Sequence, residues 1–278
     1  MGVLSIQSSV AAGHVGNSAA VFALQRLGFD VWRVDTVAFS NHPAHGRHAG
    51  RIVPCDDVAA ILSGLEGLAL WPRCDAVISG YLATAATGQV VADTVARIRA
   101  VRKDVLYLCD PVIGDRGRRY VEDGLVDYYR ERAIPAADLV TPNAFEAQCL
   151  TGIDATSIEG ALAAVRALRA MGPRMAVITG VGGDAVVETV AADASGAWRV
   201  AAPRLSAPGH GSGDLLAAML AGHLLRKAAL PDALSRAVSA VHAVLASATA
   251  ESGQDLPLIA AQDALLSPPV VYPAEPLR

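Results

Sequence analysis

Short apolar runs alternate along the chain with longer segments whose apolar residues recur at about 3.6-residue spacing. The runs at 3–6, 31–34, 76–79, 105–109, 138–140 and 175–179 predict strands. Between them, 17–27, 56–68, 89–102 and 161–171 put Ala, Val, Leu and Ile on one face and polar or arginine side chains on the other, which predicts amphipathic helices. Such alternation favours an α/β fold with a central, mostly parallel sheet flanked by helices on both faces. The Thr156/Glu159 spacing matches a capping box for the 161–171 helix, and Gly172-Pro173 supplies its stop.

Beyond Thr179 the rhythm changes. Two strand-like runs, 185–192 and 197–202, are joined by Asp193-Ala194-Ser195-Gly196, a hairpin signal that predicts an antiparallel edge. Two Ala/Leu-rich helices are expected at about 213–227 and 232–250, and the Pro-rich segment 267–278 reads as a surface tail. With no internal repeat and no linker, residues 1–278 are expected to form one domain.

Composition narrows the classes that remain. With 53% hydrophobic and 18% charged residues, the chain has ample material for a core and is not disordered. Its mean hydropathy of +0.36 raises the question of a membrane. The longest charge-free apolar stretches, 215–225 and 237–250, are shorter than the ~20 residues a bilayer needs, so a soluble protein is expected. A net charge of −4 without a basic run argues against a nucleic-acid partner. Cys55, Cys74, Cys109 and Cys149 form no C-x-x-C pair and are expected to be reduced. The first residues lack the charged and apolar regions of a secretory signal, which points to the cytoplasm.

The segment with most chemistry is Ala207-Pro208-Gly209-His210-Gly211-Ser212-Gly213-Asp214, a glycine-rich turn running into an apolar helix. Glycines let backbone amides face inward, and the positive end of a helix can hold phosphoryl charge. Asp214 in the first turn could accept a proton from an attacking hydroxyl. On spacing alone the segment is equally a glycine-rich connector with an acid that complements the helix dipole. His42, His45 and His48, at three-residue intervals, raise a zinc reading, which Pro43 and Gly46 oppose by breaking any helix that would align the rings. Neither a Walker A motif nor a protein-kinase H-R-D is present.

The G-x-G-D turn opening a late helix resembles the ribokinase superfamily. Further segments in matching order resemble the pyridoxal kinases: Ile6-Gln7-Ser8-Ser9-Val10, 13–20, Thr36-Val37-Ala38-Phe39-Ser40-Asn41-His42, Ser79-Gly80-Tyr81-Leu82, Cys109-Asp110-Pro111-Val112-Ile113-Gly114 and Thr141-Pro142-Asn143-Ala144-Phe145-Glu146. The similarity runs from about Val3 to about Asp263. It implies an ATP-dependent kinase acting on the 5′-hydroxyl of pyridoxal, with Mg²⁺ and a homodimeric assembly. Asp214 is then the base, with the Gly211, Ser212, Gly213 and Asp214 amides as the anion hole. Ser8, Tyr81 and His42 become substrate contacts, the last from a loop that closes over the ring. Asp110, Thr141, Glu146 and Thr179 fall on the nucleotide side, with Glu146 and Asp110 near the metal. Residues 115–119 are expected to form a closing loop, with no role assigned to Arg116, Arg118 or Arg119.

Three departures accompany the resemblance. Pro43 stands where many relatives have Thr, residues 180–184 make a short nucleotide-side loop, and Ser212 replaces a frequent Thr. Two other readings remain at this point. One is a related kinase for a hydroxymethylpyrimidine or a sugar, and the other is a non-catalytic vitamin B6 binding protein.

Overall fold

The computed structural model describes residues 1–206, 209–248 and 255–277. The first half comprises β1 (Gly2–Val10), α1 (Asn17–Arg26), β2 (Asp30–Phe39), β3 (Gly50–Ile52), α2 (Cys55–Gly67), β4 (Cys74–Ser79), α3 (Ala85–Val101) and β5 (Leu106–Cys109). A small hairpin of β6 (Gly114–Asp115) and β7 (Arg118–Arg119) leads to α4 (Asp123–Tyr128), α5 (Ile134–Ala136), β8 (Leu139–Val140), α6 (Ala144–Thr151) and α7 (Ile158–Ala170). Then follow β9 (Met175–Val181), β10 (Val186–Ala192), β11 (Ala197–Pro203), α8 (Ser212–Leu225), α9 (Leu230–Ala246) and β12 (Glu275–Leu277).

Among the described residues, ten strands form one sheet in the order β12-β11-β10-β9-β8-β5-β4-β1-β2-β3. The six central strands from β9 to β2 run parallel, while β3 at one edge and β10 to β12 at the other are antiparallel. One face is covered by α1, α8 and α9 through residues such as Leu24, Leu216, Leu220 and Leu234. The other is covered by α2, α3, α6 and α7 through Leu62, Val95, Leu150 and Leu168. Enclosure on both faces explains why β1 is buried almost throughout instead of alternating. Ser5 and Gln7 are admitted there because they are hydrogen-bonded: the Ser5 hydroxyl donates to Oδ1 of Asn17 at the start of α1 at 2.7 Å, and Gln7 Nε2 donates to Ser5 Oγ at 2.9 Å. Helix α8 is buried continuously from Leu215 to His223, so its sequence is apolar all round.

The predicted α/β alternation and antiparallel edge are both present, with Asp193 N donating to Gly196 O at 3.0 Å in the hairpin turn. Three expectations need correction. The cap of α7 is Ser157, whose Oγ accepts from Gly160 N at 3.1 Å. Asp154 Oδ1 takes both the Thr156 amide and hydroxyl, at 3.0 and 2.8 Å, and so removes Thr156 from the capping position. Residues 267–277 lie at the surface as expected, but they are anchored and do not form a free tail. Tyr272 is fixed by Ser235 Oγ on its carbonyl and by its own amide on Ser239 Oγ, and Glu275–Leu277 pairs with β11. Proline is tolerated at such an edge because the outward N–H it lacks has no strand to meet. Third, β2 extends to Phe39, since Val37, Ala38 and Phe39 pair with β3, which the short apolar run at 31–34 did not reveal. Residues 249–250 of the last predicted helix lie outside the described residues.

Candidate active site

The carboxyl ends of the parallel strands carry Ser8 on β1, Tyr81 just beyond β4, Asp110 after β5, Thr141 after β8 and Thr179 on β9. Sheets of this kind bind ligands at that edge, near the point where successive strands are added in opposite directions, here between β1 and β4. The N-terminus of α8 faces the same edge and brings in the glycine turn, of which Ala207 and Pro208 lie outside the described residues.

Gly211 caps α8 with φ 86°, and a Cβ there would stand 2.0 Å from the His14 carbonyl oxygen. Gly16, at φ 54°, is equally confined, with the Ser8 carbonyl 2.1 Å and the Ser8 hydroxyl 2.4 Å from where its Cβ would be. These two glycines are needed because the loop after β1 is wedged between Ser8 and the α8 turn. Ser8, half-buried, is thereby joined to Asp214 through one packed loop. Ser212 turns both its amide and its hydroxyl onto Gly209 O, at 3.0 and 2.6 Å. The amides of Gly213 and Asp214 are then the first-turn donors directed past the helix end.

Asp214 retains some exposed surface, yet burial pushes its carboxyl up to about 6, with the amides of Gly16 and of Asp214 itself pulling the other way. Asp110 is buried and accepts from Thr141 Oγ1 at 3.1 Å. Burial, then the charges of Glu146 and Asp214, drive its pKa well above the ordinary carboxylate range. Glu146 is enclosed by amides: Ile113 N at 2.8 Å and Gly114 N at 3.2 Å on Oε1, Asn143 N at 2.9 Å on Oε2. It completes a capping box with Asn143, whose Oδ1 accepts from Glu146 N. Burial pushes Glu146 up to about 7 against those three hydrogen bonds. Asp110 is thus repelled by both Glu146 and Asp214, and among the described residues these carboxylates do not converge into a direct metal cage. Thr179 donates its amide to Pro142 O at 3.1 Å and bridges Asn143, which ties β9 to the α6 entrance.

Tyr81 is half-buried, and its carbonyl accepts from Thr36 Oγ1 at 2.6 Å, which fixes the segment leaving β4. His42 caps a short 3-10 turn, Pro43–His45, through Nδ1 on the Ala44 amide. Its ring lies 4.5 Å from that of His210 and edge-on to His45 at 6.3 Å. Burial first, then the neighbouring His210 and His45, lower His42 to about 4, and burial lowers His210 as well. His48 does not join them but packs on Phe39 at 4.9 Å, and the zinc reading of the three histidines fails on that placement. The residues 114–119 form a tight hairpin turned by Arg116 at φ 48° and Gly117 at φ 79°, with Arg119 on Asp123 and Arg116 and Arg118 exposed.

Two site residues escaped the sequence. His210 lies inside the glycine motif, where its neighbours drew the attention, and no spacing rule pairs it with His42. Asp255 approaches His45 Nε2 at 3.4 Å and would meet a Cβ at Gly13 at 2.5 Å, a contact across more than two hundred residues that no local pattern encodes.

Comparison with known proteins gives a consistent picture. A family model described as phosphomethylpyrimidine kinase matches residues 57–258. The chain is 43% identical over 279 residues to pyridoxal kinase PdxY of Rubrobacter xylanophilus, covering 98% of this chain and 96% of that protein. It is also 43% identical over 274 residues to pyridoxal kinase PdxY of Leifsonia xyli, covering 96% of each. The structure of pyridoxal kinase from Leishmania donovani in complex with ADP and ginkgotoxin matches with a TM-score of 0.93 at 30% identity, over 100% of this chain and 99% of that one.

Proposed function

The chain belongs to the pyridoxal kinase family, and from that membership we propose how its residues move the γ-phosphate of ATP to the 5′-hydroxyl of pyridoxal, giving pyridoxal 5′-phosphate. The observation that carries the assignment of roles is the position of Asp214 in the first turn of α8, behind a glycine turn pressed against His14, in the same loop whose Gly16 packs on Ser8. At neutral pH a carboxyl titrating at about 6 is mostly ionised and able to take the proton of the attacking hydroxyl. The Gly213 and Asp214 amides and the helix dipole offset charge on the transferred group, with Gly211 and Ser212 shaping the turn. Ser8, Tyr81 and His42 hold the pyridine ring, and the neutral His42–His210 pair closes over it without adding charge. Asp110, Thr141 and Thr179 face the nucleotide phosphates.

Mg²⁺ fits the carboxylate group as a hydrated ion. Both Glu146 oxygens already accept backbone amides, and repulsion of Asp110 by Glu146 and Asp214 is of the kind a dication relieves. Glu146 and Asp110 would hold it through water, and it would supply charge neutralisation on the phosphates. The same reading makes the protein one ribokinase-like domain, active as a cytoplasmic homodimer; among the described residues no helix is long and apolar enough to cross a membrane.

The test is product formation, by mass spectrometry, from pyridoxal, pyridoxine, pyridoxamine and a hydroxymethylpyrimidine, each with Mg·ATP. Pyridoxal 5′-phosphate as the fastest product supports the reading. The description of the matching family model favours the pyrimidine as a second acceptor, and its preferential phosphorylation would replace pyridoxal as substrate. Binding of pyridoxal with no turnover on any acceptor would leave a vitamin B6 binding protein.

A further inference from the structure

At the opposite end of α8 from Asp214, a cavity of about 340 Å³ is lined by His223, Arg226, Lys227, Asp232, Arg236 and Leu266, among others. A 14-residue helix separates the two ends by about 21 Å. Three cations face one carboxylate there, in a chain whose overall charge is −4. Lysine occurs only at Lys103 and Lys227, and one of the two is placed at this cavity.

Capping does not account for the basic residues. The last carbonyls of α8 are already closed by backbone amides, Lys227 N on Leu224 O at 2.9 Å and Ala228 N on His223 O at 3.1 Å, the bond pair that ends many helices. That ending favours glycine at the left-handed position, yet Lys227 occupies it at φ 66°. Arg226 spends one guanidinium nitrogen on the Leu27 carbonyl and lies over the Phe29 ring at 5.9 Å. Among the described residues Lys227 and Arg236 form no ion pair, and Asp232 forms none either. His223 supplies an independent sign of a ligand: its side chain lines the cavity at 8% exposure, and its buried Nε2 has no hydrogen-bond partner. The N-terminus of α9 opens onto the same space through Asp232, with the positive end of its dipole leading.

We propose that this cavity binds a small phosphate-bearing anion, separately from the phosphoryl-transfer site. Lys227 and Arg236 supply charge and donors, Arg226 closes one side, and His223 Nε2 donates from the floor. The volume lies at the small end of ligand pockets, which limits the occupant to free phosphate or a compact phosphate monoester.

The test is calorimetric titration of the full chain whose transfer site is saturated with pyridoxal and a non-hydrolysable ATP analogue, so that any further anion reads out elsewhere. Inorganic phosphate and pyridoxal 5′-phosphate are titrated in parallel. One further equivalent is expected, with affinity lowered at least tenfold in Lys227→Gln/Arg236→Gln and raised severalfold in Asp232→Asn. A gain in the Asp232 variant cannot come from misfolding. Tighter binding of either probe supports the proposal and names the occupant as free ion or ester. Absence of the extra equivalent in wild type, or equal affinity in all three proteins, overturns it. The two surface variants are expected to keep wild-type turnover, so this result is independent of the acceptor assay.

Discussion

Asp214 and Glu146 are both acids in the first turn of a helix, both in contact with the same pocket edge, and the fold treats them oppositely. Glu146 reaches back to close its own helix and takes amides from the β6 entrance as well, so each of its oxygens is occupied. Asp214 follows a glycine cap with no side-chain bond and keeps surface open to a substrate. A third acid of the same kind, Glu159 in α7, is simply left in solvent once Ser157 takes the cap. Asp214 and Glu146 stand third in their helices and Glu159 second, so a place in the first turn decides little; what the preceding loop does with its amides separates an open carboxylate, an enclosed one and an exposed one.

The comparison breaks most severely if Asp214→Ala leaves turnover intact. The expected result is a fall in kcat of about 10²–10⁴, with pyridoxal affinity and melting temperature near wild type. Sharper evidence comes from the acid limb of the pH profile. A base that titrates at about 6 must lose activity as pH falls through that value, and kcat should drop tenfold per unit below it. A limb at the ordinary carboxylate value would detach Asp214 from the proton transfer.

Glu146→Gln is expected to raise the Mg²⁺ concentration for half-maximal rate severalfold, since the neutral amide leaves less charge to attract the hydrated ion. It also tests a pH dependence of stability. The folded carboxyl is raised to about 7, so its favourable contribution is complete at low pH and is lost as pH climbs toward 7. The wild-type melting temperature should therefore decline over that interval more than the variant's. Parallel curves would show that burial does not penalise the Glu146 charge. The smallest effect is at α7, where Ser157→Ala should cost about 1 kcal/mol in denaturant unfolding and Glu159→Gln close to nothing. The reverse ranking would restore the Thr156/Glu159 box.

Much of this was legible in the chain because the signals were local. The central strands are short apolar runs between amphipathic segments, and the hairpin at Asp193–Gly196 has its turn residues in place, so periodicity found them. The glycine turn with Asp214 stood out by residue type and spacing, whereas the strand-end residues Ser8, Asp110 and Thr141 were reached through the family resemblance, which reads several such segments together. The α7 cap escaped because two hydroxyl residues stand side by side and the choice between them rests with Asp154, outside the motif. The histidine pair His42–His210 and the Lys227 cavity escaped for a different reason. The pair joins two distant segments, and the cavity, though its polar residues run from His223 to Arg236, depends on how the end of α8 and the start of α9 turn their side chains into one space.

The β12 strand has a practical consequence. It covers the outer rim of β11, and Pro276 at its middle offers no amide to an incoming chain. Cutting the protein before Glu275 would uncover a seven-residue strand carrying Trp198, a surface prone to pair with its own copies. Shortened versions should therefore precipitate or form fibres on concentration even where the remainder folds, and these few residues act as the protein's guard against self-association along the sheet.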